Sequence, residues 1–432
     1  MGKGGSIYIG FALKCNLMYL IPLLFSFILM IIVYKRNGFD LGFFVSFVYF
    51  MSSLCACILI KDQSSVYLED YANFKITLIP TILYVVNMFF SIYPLYVFNT
   101  NKLRPVNITI NNKYLDYIIL LFFLVLLLMV LLFGSTIPER LVLSNMKEFR
   151  SMNYIEDTSI ISGFSFSKKI LALLTIGLSV GASALLVFFY FCLAFTNRSK
   201  KYLIVILALS MLPIFNGILN MDRSNVFYWV LLFMMSFFLF KPYLTPANRA
   251  FIYRMSLCVI GVLLVYFIAV SIARFNDSDS GTLNALIDYI GQPYLNFCNE
   301  WNSIVIKGYS IADIFHIFKL FPQLLSQVEI INVRSIATNG FHTFAGSFLY
   351  TLGHWGVVII PFILYLFLMS FSKRRARKLD IKTYMILFLV FTIPQTSIIS
   401  YYYANEWRFI DIFLFIYFAQ KLKKVKLRKT SI

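Results

Sequence analysis

The chain has 432 residues, 60% hydrophobic and 18% aromatic but only 13% charged, with a mean hydropathy of +0.80. So little polar surface excludes a water-soluble domain, and apolar runs that are continuous rather than alternating exclude a β-barrel, so an all-α polytopic membrane protein is expected. The formal charge of +19 would suit a nucleic-acid partner, but the positive residues stand in short groups between apolar runs, as in cytoplasmic loops, and no nucleic-acid partner is expected.

Eleven runs are apolar enough to cross a bilayer: 17–34, 41–60, 76–98, 115–134, 170–195, 202–219, 226–240, 255–272, 345–370, 383–400 and 408–420. The seventh and last are short and need extension or tilt. The first is too long for a signal peptide and no small-residue cleavage site follows it, so no cleavable leader is expected. GLSVG (177–181) reads as a small-residue helix-packing motif. The six cysteines show neither a disulfide framework nor zinc-ligand spacing, and serve as small apolar packing residues. The sequence shows no convincing internal repeat. The expectation is one integral membrane domain over 1–432.

Charge sets the orientation. Alternate loops carry Lys35 and Arg36; Lys102, Arg104 and Lys113; Arg198, Lys200 and Lys201; Lys241, Arg249 and Arg254; KRRARK (373–378) with Lys382; and a basic tail within 421–432. That set holds 23 basic residues against the acids Asp40, Asp116 and Asp380, whereas the other set holds 15 basic and 16 acidic residues. The first set is therefore read as cytoplasmic, with the N-terminus outside and the C-terminus inside.

The large loop at 273–344 then faces outward. Loops this long inside a compact protein are usually functional or disordered, and its Phe, Tyr, Leu and Ile content argues for order. It is expected to be a partly helical cap over a site at the membrane surface, between the eighth and ninth spans. Smaller outer segments are 61–75, with Asp62, Glu69 and Asp70; 135–169, with the amphipathic stretch PERLVLSNMKEFR (138–150); and the tight turn NMDRSN (220–225).

No P-loop, dinucleotide fingerprint, HExxH site or kinase motif set is present. Chemistry on an outer face, where nucleotides are scarce, calls for a substrate that brings its own leaving group. Lipid-linked pyrophosphate sugars form that class. A pyrophosphate needs fixed cations, and the planar fork of Arg suits it best. Arg223, Arg274 and Arg334 are the candidates; each could instead snorkel or pair with a neighbour such as Asp222. Histidine is the natural general base for a sugar hydroxyl. His342 stands just before the ninth span and His354 one to two turns into it, each with the alternative of a neutral ring bonded to a helix neighbour. Glu300 and Asp288 are rival bases, and His316 reads as the edge of an amphipathic helix. Asp277-Ser278-Asp279 has the form of a divalent-cation pair, but a Ser/Gly/Asp run is more often a solvated turn, so no metal ligand is assigned.

The layout resembles the oligosaccharide repeat-unit polymerases, the Wzy-type enzymes of O-antigen and capsule assembly. The likeness lies in the number of spans, the long outer loop late in the chain, MDRSN (221–225), YIGQPYLNFCNEW (289–301) and ATNGFHTFAGSFLYTLGHWGVV (337–358). It implies a glycosyltransferase of the bacterial plasma membrane. Outer arginines, here Arg223, Arg274 and Arg334, would hold the undecaprenyl pyrophosphate of the growing chain, with His342 or His354 as base. It implies no cofactor. The implied partners are the lipid-linked oligosaccharide, membrane lipids, and a flippase and chain-length regulator of the same pathway. The HNxxL-type motif of some related polymerases and O-antigen ligases is absent, which favours polymerase over ligase. A flippase or exporter of the same lipid-linked glycan is the alternative from another class; it calls for charges lining a mid-membrane path and two similar halves.

Overall fold

The computed structural model describes residues 18–62, 74, 76–102, 112–141, 163–219, 224–275, 281–303, 305–307, 329–331, 343–373, 381–401 and 406–421. These are almost entirely helical, as apolar runs in lipid must be, because only helices and closed barrels satisfy every backbone group without water. In chain order the helices are α1 Leu20–Asn37, α2 Leu41–Asp62, α3 Leu78–Val97, α4 Asn112–Phe133, α5 Thr136–Leu141, α6 Phe166–Val180, α7 Ala184–Phe195, α8 Lys200–Leu209, α9 Leu212–Leu219, α10 Ser224–Phe240, α11 Pro246–Phe275, α12 Gly281–Ser303, α13 Thr343–Lys373, α14 Ile381–Thr396 and α15 Glu406–Lys421. The strands β1 (Val305–Lys307) and β2 (Glu329–Ile331) form a short antiparallel ladder between α12 and α13.

Among the described residues, nine helices are long and apolar enough to cross a membrane, and Ile381–Thr396 and Ile412–Lys421 are shorter apolar helices. The architecture is that of a multi-pass membrane protein. The chain forms two compact units. The first comprises Met1–Asn101, Ser278–Arg375 and Phe391–Glu406; the second comprises Lys102–Asp277, Ala376–Val390 and Trp407–Ile432.

In the first unit, α1 and α2 form a hairpin. Gly38 takes a φ of 67°, open to glycine without strain, and its N–H donates to Tyr34 O at 2.8 Å. Asp40 then caps α2 by accepting from the Phe43 N–H at 2.9 Å. Asn37 ties this turn to the end of α3: its amide donates to Tyr96 O, and it accepts from the Asn99 and Asn101 amides.

The second unit contains two broken spans. GLSVG ends in a 3-10 turn at Gly181–Ser183 that joins α6 to α7, with Gly181, Ala182 and Ser183 all buried. The span at 200–219 breaks at Ser210, and the Trp229 indole N–H closes the gap by donating to Ser210 O at 2.9 Å. A break in a span is tolerated where neighbouring side chains take up the freed carbonyls.

Candidate functional site

The candidate site residues that can be built from geometry gather in the first unit, around α12. This helix occupies the front of the stretch expected to form an outer cap, yet its C-terminal half is packed within the unit. Ser52 Oγ donates to Ile290 O at 2.8 Å. A Cβ on Gly291 would lie 2.7 Å from Ala56 N and Cys55 C, so only glycine permits this approach of α12 to α2. Ser52 lies eight residues before the end of the span Leu41–Ile60, about 12 Å along its axis. The helix is therefore inserted among spans. On its α3 side, Tyr294 OH and Thr81 Oγ1 bond at 2.9 Å, the Tyr294 and Tyr84 rings stand 4.9 Å apart, and Thr77 Oγ1 donates to Asn302 Oδ1 at 3.2 Å.

Along α12 the side chains of Asp288, Gln292, Asn296 and Glu300 are 0, 5, 2 and 1% exposed. Spacing by four keeps them on one slowly turning face, since each step advances about 40° beyond a full turn. The Asn296 amide donates to Gln292 Oε1 at 3.4 Å. Polar side chains within a membrane bundle are costly and serve function by default. The two carboxylates lie twelve residues apart, about 18 Å along the helix. That exceeds the ~5–9.5 Å separating acid and base across one glycosidic bond, so they do not act as a pair. The stripe instead offers planar amides and carboxylates suited to hydrogen-bonding several hydroxyls of an elongated ligand.

The stripe ends beside His354. The ring Nε2 of His354 lies 3.0 Å from Trp301 O, and the two rings meet edge to face with centroids 4.3 Å apart. A carbonyl can only accept, so Nε2 carries the proton and, in the neutral ring, Nδ1 holds the lone pair. Trp301 O is one of the last four carbonyls of α12, which lack intrahelical partners, and His354 satisfies it. The ring reaches this point because α13 is broken at Gly353, whose φ of 65° and ψ of −161° are not helical. A Cβ on Gly356 would meet Phe348 O at 2.7 Å, so the second glycine of GHWG lets the two turns close. The segment before the kink is fixed from the other side: the Thr343 and Phe344 N–H groups donate to Ile399 O and Ser397 O, and the Tyr401 N–H donates to Ser347 Oγ. Ser397 also bonds Tyr49 OH and Ser91 Oγ, which joins this segment to α2 and α3.

Burial raises the Tyr401 phenol to about 12. Among the described residues, no group of three or more His, Cys, Asp or Glu side chains could hold a metal ion.

Of the arginines and histidines assigned to the site from sequence, His354 is the one whose side chain is among the described residues. Arg274 lies in the last turn of α11, but its side chain is outside the described residues, as are Arg223, Arg334 and His342 altogether. His316, Asp277, Asp279, Glu69 and Asp70 are outside them too. The rival bases Asp288 and Glu300 are buried members of the stripe. Sequence reasoning missed Gln292, Asn296 and Trp301; the signal was the four-residue spacing of Asp, Gln, Asn and Glu inside YIGQPYLNFCNEW and just before it.

A scan against protein-family models and searches of curated proteins and of solved structures return no match.

Proposed function

We propose that this chain is a membrane glycosyltransferase that polymerises undecaprenyl-pyrophosphate-linked oligosaccharide repeat units on the outer face of a bacterial plasma membrane. The observation that carries the reading is the buried Asp288–Gln292–Asn296–Glu300 stripe, which runs toward a histidine whose Nδ1 can accept a proton. The charge pattern of the loops supports an outward orientation for that end of the unit.

In this reading a hydroxyl of the incoming repeat's non-reducing sugar attacks the anomeric carbon of the growing chain. The new C–O bond forms as the bond to pyrophosphate breaks, the pyrophosphate leaves on its lipid, and the hydroxyl proton passes to His354 Nδ1. Arg223, Arg274 and Arg334 are the assigned holders of the pyrophosphate charge, and α12 aligns the acceptor glycan. The chemistry needs no nucleotide. The flippase and chain-length regulator of such a pathway are the natural partners.

Purified protein in vesicles, given a lipid-linked repeat, should yield oligomers of two or more repeats with release of lipid pyrophosphate. Arg274→Ala and Arg334→Ala should abolish that product at unchanged membrane level, and Lys should restore it only in part. Full-length product from both Ala variants would remove the clamp from the account.

One observation favours a transporter of the same lipid-linked glycan instead: two acids, Asp288 and Glu300, are buried along one helix. Passage of the intact repeat across sealed vesicles, without any joining, would select that reading.

A further inference from the structure

Three buried hydroxyls meet in the core of the first unit: Tyr49 of α2, Ser91 of α3 and Ser397 just past α14. Tyr49 OH donates to Ser91 Oγ at 3.2 Å, and Ser397 Oγ bonds both Tyr49 OH and Ser91 Oγ, the latter at 3.1 Å. Tyr49 lies eight residues into the span Leu41–Ile60 and Ser91 thirteen into Leu78–Val97, about 12 and 20 Å along their axes. The hydroxyls therefore meet at membrane depth.

Around them, four further polar atoms are buried without a hydrogen-bond partner among the described residues: Ser53 Oγ, Tyr84 OH and both amide atoms of Gln395. Their side chains are 1, 2 and 1% exposed. Ser53 stands one turn beyond Tyr49 on α2, and the Tyr84 and Tyr49 rings are 6.4 Å apart. Gln395 is in the last turn of α14, in a seam with α3 bracketed by the Phe391–Phe98 ring contact at 4.7 Å and the Ser397–Ser91 bond. Between Ser91 and Phe98, Pro94 has no N–H to give, which leaves Phe90 O without its helical partner.

The chemistry of these groups selects the ligand. Buried polar groups are paired in folded proteins, by the chain itself or by ordered water. A cation would satisfy Gln395 Oε1 and leave Nε2 without an acceptor; an anion would do the reverse. The Ser53 and Tyr84 hydroxyls each donate and accept. A ligand that does both and fits between packed helices serves all four atoms, and that ligand is water. We propose that the core of the first unit encloses a cluster of ordered water molecules joining Gln395, Ser53 and Tyr84 to the Tyr49, Ser91 and Ser397 hydroxyls. α14 ends at Thr396, beside this cluster, as helix breaks at membrane depth do where they line water. The cluster rests on the packing of α2, α3 and α14 alone, so it holds or fails independently of the glycosyltransferase reading.

The test uses the full chain in detergent, with hydroxyl radicals generated by X-ray pulses in heavy-oxygen water and the label read at single residues by mass spectrometry. Radicals formed from an internal water attack the side chains beside it. Met88, between Tyr84 and Ser91 on α3, and Met129 of α4 are both fully buried, so neither meets bulk water. The expected result is labelling of Met88 about tenfold faster than of Met129. Gln395→Leu should slow Met88 labelling roughly threefold, and Ser53→Ala, the smaller change, keeps the test decisive if the Leu variant does not fold. Equal labelling of the two methionines in the unaltered chain, or a Met88 rate untouched by both substitutions, would overturn the proposal. So would an unfolding temperature that rises with sodium chloride but not with an organic-cation chloride of equal strength, which would give the cluster to a cation.

Discussion

Two helical stretches of this protein, 184–192 in α7 and 291–298 in α12, are buried throughout and differ in chemistry. In α7, in the second unit, Ala184 to Cys192 are all 0% exposed, and apart from the Tyr190 hydroxyl and the Cys192 thiol their side chains are hydrocarbon. In α12, in the first unit, Tyr294, Leu295, Phe297 and Cys298 are equally buried, but Asp288, Gln292, Asn296 and Glu300 are buried with them. α7 shows what this protein uses when a helix has only to pack: rings and aliphatic chains, with Tyr190 stacked on Phe240 and flanked by Phe233. Nothing in packing alone calls for amides and carboxylates at every fourth position of α12. In the reading proposed above, the difference separates a helix that holds the fold from a helix that serves a ligand.

The separation can be broken or sharpened by substitution. The largest effect is expected at His354. His354→Ala should lower polymer formation by about 10²–10⁴-fold at unchanged membrane level. His354→Asn keeps a donor for Trp301 O but supplies no base, so it should be as inactive as Ala. Recovery of activity in the Asn variant would make His354 a clamp on α12 only. In α7, Leu186→Ala should lower the unfolding free energy by about 2–5 kcal/mol, read as a fall in thermal unfolding temperature in detergent, with activity per folded molecule unchanged. Gly291→Val should cost about 1–3 kcal/mol, because its side chain would meet the backbone of Cys55 and Ala56; it should lower both stability and activity, since it moves the stripe itself. The smallest effect is expected for Asn296→Leu, which replaces a buried amide by hydrocarbon of similar size. Its stability should stay within about 1 kcal/mol of the unaltered protein while polymer yield falls about tenfold. An Asn296→Leu protein that is less stable but fully active would erase the distinction between the two helices.

The spans were legible because a continuous apolar run of twenty residues has one stable form in lipid. The last two runs, 383–400 and 408–420, fall where α14 and α15 contain the shorter apolar helices. The packing of α12 among the spans was not legible. Its four polar residues dilute the apolar signal until the stretch reads as part of a partly helical outer cap, although their spacing marks one face of a helix. The kink at Gly353 was hidden too, because a glycine in an apolar run fits a packing contact as well as a break, and only the positive φ distinguishes them. His354 was found as an ionisable group inside a span. Its partner Trp301 stands 53 residues away, a distance in sequence that no local pattern bridges.

The most direct test of the central claim is a gel of surface glycan and lipid-linked glycan from a host lacking this gene, complemented with the unaltered chain or with His354→Ala. The account predicts surface glycan that stops at a single repeat unit in the deletion strain and in the His354→Ala strain, with the full ladder restored by the unaltered chain. A full-length polymer left on its lipid carrier in the deletion strain would contradict it, as would lipid-linked repeats trapped on the cytoplasmic side.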